Sequence, residues 1–103
     1  MKVQVNTDRN IQGDERLEEY VEQVLADTLG RFADQLTRVV VHLSDANAGK
    51  AGDDDKRCMM EARIAGRRPT AIAHQAGTVR EAINGAADKI ERVLDKELGK
   101  LGH

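Results

Sequence analysis

Aromatic residues are almost absent from this chain of 103 residues: Tyr20 and Phe32 are the only two, and tryptophan is missing. Recognition of unpaired bases by stacking needs several exposed rings, so this scarcity argues against that kind of nucleic-acid binding. Cysteine occurs once, at Cys58, which excludes an internal disulfide. The chain shows no signal peptide and no transmembrane run. We therefore expect one cytoplasmic domain, residues 1–103, with no membrane partner.

Charge is plentiful but nearly balanced. The chain has 16 Lys and Arg against 18 Asp and Glu, for a formal net charge of −2. A free-standing nucleic-acid binder is usually basic, so the total charge counts against that role. The distribution of charge weakens this argument, because acidic side chains are concentrated in the first predicted helix and basic ones later in the chain. A molecule that is neutral on average can still have a positive face.

Hydrophobic periodicity predicts four strands and two helices. The strands are expected at residues 1–7, 37–44, 56–65 and 70–75. Asp14 is placed to cap a first helix, which ends at Gly30. Thr78 and Glu81 form a capping box for a second helix, which runs to residue 100. The order β-α-β-β-β-α favours an α+β fold with two layers, in which both helices cover one face of a four-stranded sheet. The first two strands should be parallel, because a β-α-β crossover is right-handed.

The last predicted helix sorts its charges onto opposite sides of an apolar arc when residues are placed about 100° apart. One side carries a basic ridge, which we define as Lys89, Arg92, Lys96 and Lys100. The other side carries an acidic flank, which we define as Glu81, Asp88, Glu91 and Asp95. A basic ridge can lie along a row of phosphates. The alternative is an ordinary solvated face with local pairs, such as Asp88 with Arg92.

The sheet face that the helices leave open is predicted to be mixed rather than plainly polar. It carries Val40, His42, Arg57, Met59, Glu61 and Arg63. The turn before the fourth strand adds Arg67 and Arg68. A face of this composition favours contact with a partner.

No catalytic or metal-binding constellation stands out. The three histidines lack metal-ligand spacing with one another or with Cys58: His42, His74 and His103. We expect His42 on a strand surface and a buried, inert thiol at Cys58. For His74 we expect a structural role, and the alternative is a contact with RNA.

Two further patterns have structural interpretations. Residues 45–49 resemble the opening of a calcium loop, but Lys50 and Lys56 stand where glycine and glutamate are required. Gly85 lies inside the last helix at a cost of about 1 kcal/mol, which indicates close packing against the sheet or the first helix. We therefore predict neither an enzyme nor a cofactor, a metal or a small-molecule substrate.

The segment from Ala82 to Lys96 resembles the last helix of the ribosome hibernation-promoting factors, also called ribosome-associated inhibitors or sigma-54 modulation proteins. The resemblance lies in Ala-Ile-Asn followed by Lys-Ile-Glu-Arg and a further Lys. Val-Gln-Val at residues 3–5, Arg-Asn-Ile at residues 9–11 and Val-Val-Val-His-Leu-Ser at residues 39–44 also fit the family pattern. The resemblance covers essentially the whole chain.

This resemblance implies the same fold, similar in shape to double-stranded-RNA-binding domains, and a partner in the small ribosomal subunit. Translation would stop reversibly under stress, because the protein would occupy the channel for messenger and transfer RNA. By position, Lys89, Arg92 and Lys96 are the implied contacts to ribosomal RNA, and Lys100 fits the same ridge. Lesser candidates are Arg57, Arg63, Arg67 and Arg68. The chain resembles the short class without a C-terminal dimerisation domain, and both pairing of ribosomes and silencing of single ones stay open.

The sequence also departs from the family pattern. Its first helix is acidic where many relatives are rich in lysine, and Asp95 and Leu98 stand where relatives often carry basic residues. Thr78 and Arg80 replace an aspartate and a tyrosine often seen at the start of that helix. These departures favour an alternative: a divergent protein-interaction module of the same fold that does not bind ribosomes.

Overall fold

The computed structural model describes residues 1–45 and 55–99. Its elements in chain order are β1 (Lys2–Thr7), α1 (Glu15–Leu29), a 3₁₀ turn (Gly30–Phe32), β2 (Leu36–Asp45), β3 (Lys56–Ile64), β4 (Thr70–Ala76) and α2 (Val79–Gly99). The predicted α+β class and the order β-α-β-β-β-α are confirmed. Most of the segment that resembles a calcium loop, together with Lys100 and His103, lies outside the described residues.

The four strands form one sheet in the order β1-β2-β3-β4. β1 runs parallel to β2, and the remaining neighbours are antiparallel. The parallel pair follows from the crossover through α1, whereas consecutive strands joined by a hairpin must run in opposite directions. β1 and β4 are therefore the two edges of the sheet.

The core lies between the sheet and the two helices. From α2, the side chains of Ile83, Ile90 and Leu94 are fully buried against inward residues of the strands, such as Val41. Cys58 lies in the same layer, and burial raises the pKa of its thiol to about 12. The thiol therefore stays protonated at neutral pH, and the prediction of an inert, buried cysteine is confirmed.

Gly85 brings α2 close to β4. A Cβ at this position would overlap the imidazole ring of His74. His74 is the cross-strand partner of the buried Cys58, so its side chain lies on the helix side of the sheet. The predicted close packing at Gly85 is confirmed, and His74 has the structural role expected of it.

Both helices begin at the predicted caps. The Asp14 carboxylate accepts a hydrogen bond from the Leu17 backbone N–H at 2.9 Å, and Thr78 Oγ1 accepts one from the Glu81 N–H at 3.1 Å. Gly30 ends α1, but with a right-handed φ of −55°. The chain continues directly into the 3₁₀ turn, so Gly30 is not there to supply a left-handed conformation.

A β-bulge interrupts β2 near its start. Leu36 pairs with Ile64 and Arg38 pairs with Arg63, so that Thr37 is one extra residue on β2. Because of the bulge, both Leu36 and Val39 are buried on the same face although they are three positions apart, an odd spacing that would place them on opposite faces of a regular strand. Simple alternation predicts the strand from residue 37 onward and does not predict the bulge.

Candidate nucleic-acid interface

The acidic flank of α2 faces α1 and the 3₁₀ turn. Arg31 of that turn contacts two of its carboxylates, Asp95 Oδ1 at 3.0 Å and Glu91 Oε2 at 3.6 Å. On the same side, the Tyr20 hydroxyl of α1 donates a hydrogen bond of 2.7 Å to Asn84 Oδ1. Part of the acidic charge of α2 is therefore neutralised inside the molecule.

The basic ridge faces the other way and follows the outer edge of β4. Lys89 Nζ donates a hydrogen bond of 3.1 Å to the Ala73 carbonyl oxygen. β4 is an edge strand, and a lysine over its free carbonyls discourages another strand from pairing there. Lys89 thus has a structural role, while its ammonium group has two more protons to donate.

Arg92 and Lys96 continue the ridge three and seven residues after Lys89, on the same side of the helix. Both are exposed, and within the described residues neither makes an ion pair or a side-chain hydrogen bond. The pair of Asp88 with Arg92, given above as an example of the solvated-face interpretation, does not form among the described residues. These two cations are available to an external anion.

The turn between β3 and β4 lies against the last turn of α2. Arg67 Nη1 donates to the Glu97 carbonyl oxygen at 3.4 Å, and Thr70 Oγ1 donates to the Glu97 carboxylate at 3.0 Å. A cation at a helix C-terminus stabilises the helix dipole, so Arg67 has a structural role. Arg68 is exposed and makes no such contact within the described residues. The turn therefore extends the ridge beyond Lys96.

Arg57 and Arg63 lie on the open face of the sheet, as predicted, and not beside the ridge. Arg63 Nε contacts Glu61 Oε1 at 3.0 Å. Arg57 lies further along β3, opposite Ser44 of β2. The seven predicted site residues that the structure describes consequently divide into a group on α2 and the hairpin turn, and a group on the open face. Lys100 lies outside the described residues.

Sequence reasoning missed two cations of the open face. Arg38 is the cross-strand partner of both Lys2 and Arg63, so the three lie side by side on neighbouring strands. We call these three residues the sheet row. The signal in the sequence is simple alternation, because Arg38 lies two residues before Val40 and therefore shares its face of the sheet.

A cluster of opposite charges lies where β2 ends and β3 begins. Lys56 Nζ is 2.9 Å from Asp55 Oδ2 and 3.5 Å from Asp45 Oδ2. Its hydrogen bond to Asp55 lowers the pKa of that carboxyl group, and the same bond raises the pKa of Lys56. Within residues 1–45 and 55–99, no group of three His, Cys, Asp or Glu side chains could hold a metal ion.

The fold is shared with two solved structures. The N-terminal domain of Thermus thermophilus Protein Y superimposes with a TM-score of 0.74 at 23% identity, over 93% of this chain and 98% of that one. A ribosomal subunit interface protein from Coxiella burnetii superimposes with a TM-score of 0.72 at 14% identity, over 94% and 97%. At such identities the likeness establishes the fold.

Residues 4–102 match the model of the family described as sigma 54 modulation protein / S30EA ribosomal protein, and the chain belongs to this family. The resemblance predicted from the last helix is thereby confirmed. No curated protein sequence matches the chain significantly. Among the described residues, no helix is long and apolar enough to cross a membrane.

Proposed function

We propose that this protein binds the small ribosomal subunit through ribosomal RNA and reversibly blocks translation by occlusion. It acts without catalysis, as a hibernation factor of the cytoplasm in stress or stationary phase. Family membership supports the association with ribosomes. The basic ridge supplies the contact with RNA, because a row of cations along a helix matches a row of phosphates.

The observation that carries this proposal is that the two sides of α2 differ in whether their charges are paired within the described residues. Arg31 neutralises Glu91 and Asp95, whereas Arg92 and Lys96 have no acidic partner within the described residues. The helix therefore offers its positive charge outward although the whole chain carries a net charge of −2. An anion that approaches the edge of β4 meets this side first.

The candidate contacts differ in how free their side chains are. Arg92 and Lys96 rank first, and Arg68 follows because it is exposed at the same end of α2. Lys89 and Arg67 already donate hydrogen bonds to backbone carbonyls, so each would contact phosphate with its remaining donors. Lys100 is proposed from its spacing alone, and Arg57 and Arg63 would serve a second surface.

Sedimentation of the purified protein with ribosomes through a sucrose cushion, at low and at moderate salt, tests the function. We expect co-sedimentation that weakens as salt rises. With three or four phosphates neutralised, the logarithm of the affinity should fall with the logarithm of salt concentration at a slope of about −2 to −4. Absence of the protein from the pellet at both salt concentrations would refute the proposal.

A protein-interaction module without ribosome binding is the second candidate, and the exposed face of α1 favours it. Four glutamates of the first two turns are exposed: Glu15, Glu18, Glu19 and Glu22. None of them forms an ion pair within the described residues. This candidate predicts no ribosome binding even at low salt, together with a basic protein partner whose binding is lost when the four glutamates are changed to glutamine.

A further inference from the structure

The open face of the sheet holds two arginines in direct opposition. Arg38 of β2 and Arg63 of β3 are cross-strand partners, and Lys2 of β1 is the next partner along. Neighbouring strands lie about 4.8 Å apart, so the three backbone positions span about 10 Å. Like charges directly opposite each other on a sheet are destabilising. The free protein therefore carries an electrostatic cost at this position.

Little within the molecule offsets that cost. Glu61, two residues before Arg63 on the same strand, contacts Arg63 at 3.0 Å. Arg38 and Lys2 make no ion pair and no side-chain hydrogen bond within the described residues. Three cations thus face one carboxylate, and the row keeps an excess positive charge.

The regular register of β2 and β3 creates this arrangement, and the bulge at Thr37 ends it. The register places Arg38 opposite Arg63 on the open side, whereas the bulge shifts the phase of β2 before Arg38, so that Leu36 stays buried. The Thr37 hydroxyl donates a hydrogen bond of 3.2 Å to the Arg63 carbonyl oxygen, which ties the bulge to β3 at the same position.

We propose that the sheet row, Lys2, Arg38 and Arg63, is a second phosphate-binding site that contacts the backbone of ribosomal RNA. The inference rests on the proposed function and adds a surface on the opposite side of the sheet from α2. Guanidinium groups bind phosphate oxygens in a bidentate manner, and a phosphate between two opposed arginines removes their repulsion. The scarcity of aromatic residues makes the contact one of charge rather than base stacking.

The row lies at the end of the sheet where α2 also ends. The backbone N–H of Ala65 donates to the Gln35 carbonyl oxygen at 3.0 Å, and Arg67 reaches the last turn of α2. The hairpin turn thus connects the row with the C-terminal half of the basic ridge. RNA that follows the ridge toward Lys96 reaches the row by passing around this turn.

The test compares the double variant Lys2→Gln/Arg38→Gln with Arg9→Gln/Arg16→Gln, which removes the same charge from exposed sites elsewhere. Binding to purified small subunits and to their protein-free ribosomal RNA is measured against salt concentration. Loss of two phosphate contacts should make the salt slope shallower by about 2. Affinity at 0.1 M salt should fall by a factor on the order of 10 to 100. The control should match the wild type.

Thermal unfolding of the free protein provides the second measurement. Arg38→Gln removes the repulsion from Arg63, so its melting temperature at low salt should rise by about 1 to 4 °C. The rise should vanish at high salt, because screening removes the repulsion in the wild type. A purely structural role for Arg38 would lower the melting temperature instead and would overturn the proposal.

The outcomes separate this inference from the proposed function. If the wild type and the double variant bind subunits with the same affinity and slope, the sheet row is not a phosphate site, while the function stands. A loss seen with subunits but not with protein-free RNA would overturn the inference in favour of an acidic ribosomal protein. If the wild type binds neither subunits nor RNA, the function and the site both fail.

Discussion

The two sides of α2 carry opposite charges, and these charges meet different surroundings. On the acidic flank, Glu91 and Asp95 are paired with Arg31, so this side joins α2 to the preceding part of the chain. On the basic ridge, Arg92 and Lys96 have no partner within the described residues. Charges within one helix can thus serve the fold on one side and a partner on the other. Net charge alone does not distinguish the two uses.

Lys89 shows that the division is not absolute. It belongs to the basic ridge, yet its ammonium group covers the Ala73 carbonyl on the edge of β4. Gly85 contributes to the same edge, since the absence of a side chain lets α2 lie over His74. The ridge is therefore held beside β4 by the packing of α2 on the sheet and by the hydrogen bond from Lys89 to a backbone carbonyl.

The largest effect is expected from reversing charge on the ridge. Arg92→Glu/Lys96→Glu removes two unpaired cations, adds two anions facing phosphate, and should abolish inhibition of translation in a purified system. Because both side chains are exposed and neither makes an ion pair or a hydrogen bond within the described residues, the melting temperature should stay within about 2 °C. Asp88→Lys is the control, since Asp88 is exposed and lies on the acidic flank. If the double variant still inhibits translation fully, the basic ridge is not needed for the proposed function.

Gly85→Ala should produce the next largest effect, on stability. The new Cβ overlaps the His74 ring, and overpacking costs about 1 to 3 kcal/mol, of which the better helix propensity of alanine offsets about 1 kcal/mol. Gly30→Ala is the matched control, because no atom lies within 4 Å of its added Cβ and its backbone is right-handed. It should leave stability equal or slightly higher. Chemical denaturation measures the free energy of unfolding of both variants. Equal changes for Gly85→Ala and Gly30→Ala would contradict close packing at Gly85.

The smallest effect is expected on the acidic flank. Arg31→Ala removes two solvent-exposed ion pairs and a contact of 4.4 Å between the guanidinium carbon and the Phe32 ring centroid. Pairs of this kind contribute about 0 to 1 kcal/mol, so unfolding should become easier by no more than about 1.5 kcal/mol. Ribosome binding should change by less than about threefold, since salt screens charges across the width of the helix. A loss of ribosome binding as large as that of a variant of the basic ridge would contradict the different roles assigned to the two sides of α2.

Much of the fold is visible in the sequence because its signals are local. The caps at Asp14 and Thr78 involve residues three positions apart, and strand alternation in β3 places Cys58 in the core without knowledge of its neighbours. The close packing at Gly85 can also be predicted from the sequence, because a glycine inside a helix lowers its stability and so indicates a packing constraint.

The site is less visible, because its features depend on contacts between distant segments. Arg31 lies 64 residues before Asp95 in the chain, and no periodicity predicts their pair. The same holds for Arg67 at the last turn of α2 and for Lys89 at the edge of β4. The sheet row required the register of three strands. Alternation alone assigns Arg38 and Arg63 to the open face but does not show that they are cross-strand partners.

The most direct test of the central claim is the salt dependence of binding to purified small ribosomal subunits, for the wild type and for Arg92→Gln/Lys96→Gln. Each phosphate contact contributes about 1 to the slope of log affinity against log salt concentration. We predict that the double variant has a slope shallower by about 2 and that Asp88→Asn, on the acidic flank, leaves the slope unchanged. Equal slopes for the wild type and the double variant would show that the basic ridge does not contact RNA.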